Sequence, residues 1–216
     1  PQTPYFCAML ISEQIKQSYK ELAVRFGSLP FSLKEIAIES KLDPDTVHEY
    51  FSNTLAIDMA LWKEYFKGTL GAIQNSPEYL EYSSREKLLA FYFTFFEVLR
   101  PDRDFLMLYN NQLGIWNYNP EFMLPLKRSF LKFVKAVIHE GIENHEVEER
   151  YVLGGEYADW HWPQFLYLLN HWLKDKTADF TSTDKAVEKS VNLGFDIMGR
   201  NVIDSAFDFV KFVFAK

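Results

Sequence analysis

From Val187 onward, apolar side chains return every three or four positions, at Val187, Val191, Phe195, Met198, Val202, Ala206, Phe209 and Val213, with charged residues between them. That period marks a helix with one apolar face. The same spacing predicts helices over 8–26, 33–40, 44–50, 54–75, 83–99, 102–113, 120–143, 161–177 and 182–214. Gly and Pro number only nine each, and Val and Ile do not cluster in alternating runs, so strands are not expected. The chain reads as all-α, with about nine helices. Helix starts are legible locally: Ser32 precedes Leu33 with Glu35 at the third helical position, Asp43 precedes Pro44, and Ser182 with Lys185 forms a weaker cap. Gly154-Gly155 and the segment 117–120 read as joints, and the glutamates between Glu143 and Glu156 read as a solvated acidic loop.

Helix 83–99 has almost no polar face, because Leu88, Leu89, Phe91, Tyr92, Phe93, Phe95, Phe96 and Leu99 surround it. Such a helix must be enclosed, either as a plain core element or as one wall of a ligand cavity. It is too short for a membrane. Its apolar run, Leu88 to Leu99, carries Thr94 and Glu97, against the roughly 18 to 20 uninterrupted apolar residues a span requires. No charged-then-apolar leader follows Pro1, so no export signal is expected.

Composition narrows the chemistry. The 216 residues are 48% hydrophobic and 17% aromatic, enough for one or two packed domains. Lys and Arg total 23 against 30 Asp and Glu, a net charge of -7, so any polyanion site must be local. One cysteine, Cys7, excludes an internal disulfide and fits a reducing, cytoplasmic setting. His139 and His145 are six apart, and His161 and His171 ten apart; neither spacing puts two ligands on one helical face, so no metal is expected. No serine sits in GxSxG and no glycine-rich loop resembles a phosphate cradle, so neither a catalytic residue nor a cofactor is expected.

Two short helices joined by a tight turn, between two longer ones, can present a helix end to a DNA groove. The stretch from Phe26 to Thr54, FGSLPFSLKEIAIESKLDPDTVHEYFSNT, resembles the DNA-binding segment of the TetR (tetracycline repressor) family of bacterial transcription regulators. Gly27 ends the first helix, Ile36-Ala37 packs the second, Leu42 sits in the turn, and Thr46-Val47 through Tyr50-Phe51 form the third. The resemblance implies a helix-turn-helix domain over 1–54, a connecting helix over 55–75 and an effector-binding and dimerisation domain over 76–216. It implies a phosphate contact at Ser32, charge from Lys34, Lys41 and Lys63, base or sugar contacts from Thr46, His48 and Tyr50, and a further contact at Thr54. The departures are acidic or neutral. Lys41 replaces the common turn glycine, Pro44-Asp45 the common Lys-Gly pair, His48 a frequent tyrosine and Thr54 a lysine. Residues 1–67 hold seven Lys/Arg and nine Asp/Glu, a net of -2, whereas a phosphate-binding domain is normally basic.

The same resemblance implies a double-stranded DNA operator, a small hydrophobic effector and a homodimer, with repression the commoner mode and no membrane partner. Phe91, Tyr92, Phe95, Tyr109, Trp116, Phe130 and Trp162 are the expected effector walls. The last two helices would pack on a second copy through Phe165, Leu169, Trp172, Phe195, Met198, Val202 and Phe209; an intramolecular core explains the same stripes equally well. A TetR-like ligand or lipid carrier without DNA binding is the alternative.

Overall fold

The computed structural model describes residues 4–29, 32–113, 118–148 and 157–198, and every described regular element is helical. The helices are α1 (Pro4–Phe26), α2 (Leu33–Ser40), α3 (Pro44–Tyr50), α4 (Thr54–Gln74), α5 (Ser84–Leu99), α6 (Arg103–Leu106), α7 (Leu124–Glu143), α8 (Tyr157–Lys174) and α9 (Thr181–Met198). Short 3-10 turns at Pro77–Glu81, Arg100–Asp102, Met107–Tyr109, Glu121–Met123 and Ala178–Phe180 join them. Val202 and Phe209 lie outside the described residues, as do Trp116 and the Gly154-Gly155 joint.

α1, α2 and α3 pack together at one end, and α4 leads from them into the body, where it lies against α5 and α7. α5 is the axis. Leu88, Phe91, Tyr92, Phe95, Phe96 and Leu99 are all buried, and α4, α7 and α9 cover it. The all-round apolar sequence of α5 is thus matched by neighbours around it. The predicted helix over 102–113 is instead a single α-turn between two 3-10 turns. Pro101 sits at its start and supplies no amide to the ladder.

Local sequence fixes the helix ends. Ser32 and Glu35 make the reciprocal capping box: Ser32 Oγ accepts the Glu35 amide at 3.3 Å, and the Glu35 carboxylate accepts the Ser32 amide at 3.1 Å. Asp43 accepts the Asp45 amide at 2.9 Å ahead of Pro44, as the sequence predicts. The cap of α9 is different. Ser182 lies inside the helix, and the donor amide of Thr183 goes to Asp175, which also takes the Thr183 hydroxyl and both the amide and hydroxyl of Thr177, at 2.7–2.8 Å. The acidic stretch after α7 also does more than meet solvent, because the Glu146 carboxylate accepts the Ser84 amide at 3.0 Å at the start of α5.

Lys41 ends α2 in the left-handed region, with φ 55 and ψ 36, and its amide bonds back to α2. This conformation explains why glycine is common at that turn: a Cβ there costs about 1 kcal/mol. Lys41→Gly is expected to raise the melting temperature by about 2–4 °C, read by thermal unfolding at fixed protein concentration.

Candidate functional site

The helix-turn-helix exposes its third helix. Val47 is wholly buried and anchors α3, which packs on α2, while Asp45, His48 and Glu49 face solvent. Thr46 and Tyr50 are half-buried, and Tyr50 packs against the core, so of the three residues expected at the bases His48 has the freest side chain. The α3 N-terminus is already capped by Asp43, with Asp45 beside it, so the dipole end there is neutralised by protein carboxylates. Thr54 opens α4 half-buried, behind Asn53, whose side chain accepts the Ala56 amide at 2.9 Å.

The cations divide into two groups. Lys16 is buried and pairs with Glu13 and Glu64; Lys20 holds Asp102 at 2.8 Å; Arg25 forks onto Glu39 at 2.6 and 3.0 Å, joining α1 to α2. The Arg25 pair holds Glu39 below the usual carboxylate range. Lys34, Lys41, Lys63 and Lys67 remain exposed, and Ser32 is exposed with its hydroxyl already engaged in the capping box. Few phosphates can therefore be neutralised by one copy.

A polar seam ties this module to the body. Tyr65 donates its hydroxyl to Asp102 at 2.6 Å, beside the Lys20 pair, and Tyr109 donates to the buried Asp58 on α4. Burial pushes the Asp58 carboxyl up to about 6, against the opposing hydroxyls of Tyr109 and Tyr19. Sequence reasoning misses this seam, since Lys20 and Asp102 are 82 residues apart and no local spacing announces the pair.

In the body, five of the expected effector residues meet in one aromatic cluster. Phe91 stacks on Phe95 at 5.6 Å; Phe130 touches Phe91 at 5.4 Å; Phe165 lies between Phe130 at 4.8 Å and Trp162 at 5.3 Å; Tyr92 faces Phe130 and Phe165. These rings fill one another's space as a core. Tyr109 does not join them: it sits with Phe122 at 4.8 Å and Trp62 at 5.8 Å, next to Asp58. The Tyr92 hydroxyl is fully enclosed and has no hydrogen-bond partner among the described residues, a single polar group inside an apolar cluster.

The residues expected to meet a second copy point the other way. Phe165, Leu169, Trp172, Phe195 and Met198 are at most 4% exposed and pack within the chain, Trp172 stacking on Phe96 at 5.6 Å. The periodic stripe of a helix seeks the nearest core first, and here that core is α5. The outward apolar residues of α8 and α9 include Trp160, Tyr167 and Leu193, exposed by 78%, 48% and 60%. No three His, Cys, Asp or Glu side chains converge as metal ligands among the described residues, and no described helix is long and apolar enough to cross a membrane.

A capped helix-turn-helix joined by one long helix to a larger helical body defines a protein of the transcription-regulator type. Residues 87–213 match the family model for the tetracyclin repressor-like C-terminal domain, and the chain belongs to the TetR family. The fold is shared with solved structures at low identity. A TetR-family transcriptional regulator from Syntrophomonas wolfei superposes with a TM-score of 0.67 at 14% identity, over 90% of this chain and 98% of its own. A TetR-family regulator from Shewanella sp. PV-4 gives 0.60 at 16% identity, over 88% and 99%. The fatty acid degradation regulator FadR from Bacillus halodurans gives 0.59 at 17% identity, over 88% and 96%. No curated protein matches the chain.

Proposed function

We propose that the chain is a dimeric, cytoplasmic DNA-binding regulator, a repressor that releases its operator when a small apolar effector enters the body. The observation that carries this reading is the open outer face of α3: His48 is exposed at a helix end that no other described element covers. Lys34, in the first turn of α2 next to Ser32, and Lys41, at its C-terminal end, are exposed and serve as the phosphate contacts. Trp160, Tyr167 and Leu193 supply an apolar face on α8 and α9 for a second copy, replacing the buried residues. Two copies are what two half-sites one DNA turn apart demand.

An apolar effector enters the body by parting the packed rings of the aromatic cluster, where the enclosed Tyr92 hydroxyl has no partner among the described residues and receives the effector's one polar group; a fold neighbour that regulates fatty acid degradation agrees with that chemistry. An effector lowers DNA affinity only by preferring a body conformation that changes the spacing of the two α3 helices. The polar seam at Asp58 and Asp102 is the part of the molecule through which such a change reaches α1. The surplus acid on α3 favours a second reading, a ligand carrier that keeps only the architecture.

Salt dependence separates the two. Genomic DNA selected with the full chain at about 50 mM and again at about 200 mM salt provides the duplex. Four lysines per dimer, Lys34 and Lys41 from each copy, give a slope of about -3 to -4 in log affinity against log salt. Lys34→Ala is expected to flatten that slope by about 2 without changing sequence preference. A carrier enriches no duplex at either salt.

A further inference from the structure

The seam where α1 meets the body holds a carboxylate with nothing positive beside it. Asp58, in the second turn of α4, is buried and accepts one hydrogen bond, from the Tyr109 hydroxyl on the turn at Met107–Tyr109. Tyr19 reaches it from α1: its ring is wholly buried, and its hydroxyl lies near Asp58 without closing a hydrogen bond. Trp62, one turn further along α4, has an equally enclosed indole N–H with no partner among the described residues.

The charges of the surrounding elements are engaged elsewhere. On α1, Lys16 pairs with Glu13 and Glu64, and Lys20 with Asp102, which also takes the Tyr65 hydroxyl. The other elements packed on α4, namely α5, α7 and the turns at Pro77–Glu81 and Glu121–Met123, set no charged side chain against Asp58 among the described residues. Two phenols are what face it, and burial holds both Tyr19 and Tyr109 above the ordinary phenol value, so they stay protonated.

A carboxyl group in such a place makes different demands in its two states. Neutral, it accepts from Tyr109 and keeps the seam shut. Ionised, it needs several donors or water, yet Tyr109 alone bonds to it and no cation offsets the charge. α1 packs mainly on α2, and α4 mainly on α5 and α7, so the joint between α1 and α4 is the side that can part and admit water.

We propose that Asp58 is an acid-sensitive latch between the helix-turn-helix and the body: with its proton the joint of α1 on α4 is shut, and without it that joint opens locally while the rest of the fold stays intact. The latch belongs to the joint and does not depend on the DNA-binding reading. Burial lifts the closed carboxyl to about 6, and an open joint returns it toward about 3.9. The closed form therefore holds the extra proton, and the opening equilibrium grows with pH between those values, by up to about a hundredfold, and is level above.

Amide hydrogen exchange of the full chain tests it, read by mass spectrometry over residues 15–23 between about pH 4 and about pH 7.5 and corrected for the intrinsic rate. Opening is expected to rise by up to about tenfold per pH unit to about pH 6, equally in water and in low urea, because a local opening exposes little surface. Asp58→Asn cannot ionise and is expected to remove the pH dependence. Tyr109→Phe takes away the hydrogen bond that favours the ionised form, so the levelling point is expected to move to higher pH, a shift that lost packing alone does not produce. Exchange over this segment that is flat with pH in the parent chain, that rises equally in Asp58→Asn, or that follows urea as steeply as global unfolding overturns the proposal.

Discussion

Phe130→Ala is expected to destabilise the chain by about 3–5 kcal/mol, among the largest effects of any single truncation in the body. Phe130 is fully buried and touches Phe91, Tyr92, Trp162 and Phe165, so no neighbour is free to fall into the space it leaves. The loss combines transfer of the ring from water with the cavity that a close-packed cluster cannot close. Urea unfolding at fixed protein concentration reads it. The variant should also gain affinity for benzene, since an apolar cavity stays dry and accepts an apolar guest. A loss below about 1 kcal/mol would mean that the rings already line an open chamber.

Asp58→Asn is expected to change the pH dependence of stability. In the folded chain burial raises the Asp58 carboxyl to about 6, while the unfolded chain keeps it at about 3.9. The folded state therefore holds a proton that the unfolded state has released, and stability from this group is full below the unfolded value and lost as pH rises through about 6. The span corresponds to about 3 kcal/mol. The substituted amide keeps an acceptor for the Tyr109 hydroxyl and cannot ionise. Relative to the parent chain, the variant should gain stability between about pH 4 and pH 6, up to about that amount, and level off above. Urea unfolding of both proteins at each pH measures it; a difference constant with pH would show that Asp58 ionises in the same range folded and unfolded.

How much of the structure is readable from sequence follows from the range of each interaction. Ser32 with Glu35, and Asp43 with Pro44, lie within one helical turn, so their geometry is written in adjacent residues. The stripe through Val187, Val191 and Phe195 is equally legible, yet periodicity gives the apolar face of a helix and not its partner; that partner is α5, within the same chain. Aromatic character alone groups Tyr109 with the effector walls, and its hydroxyl instead serves Asp58 across 51 residues. Asp175 replaces Ser182 as the cap of α9 for a similar reason: a carboxylate eight residues upstream reaches the amide once the chain folds back. The turn at Lys41 is legible only through the family resemblance, which marks a glycine position that the left-handed backbone then explains.

The central claim is that α3, acidic as it is, reads a DNA sequence in pairs. Fluorescence anisotropy of the full chain on the duplex upstream of its own gene, against a scrambled duplex of equal length and composition, tests it most directly. The account predicts two copies per duplex, a preference of at least about 10³ for the native sequence at physiological salt, and loss of about 1–3 kcal/mol of that preference in His48→Ala. Equal affinity for both duplexes at every salt concentration would contradict it.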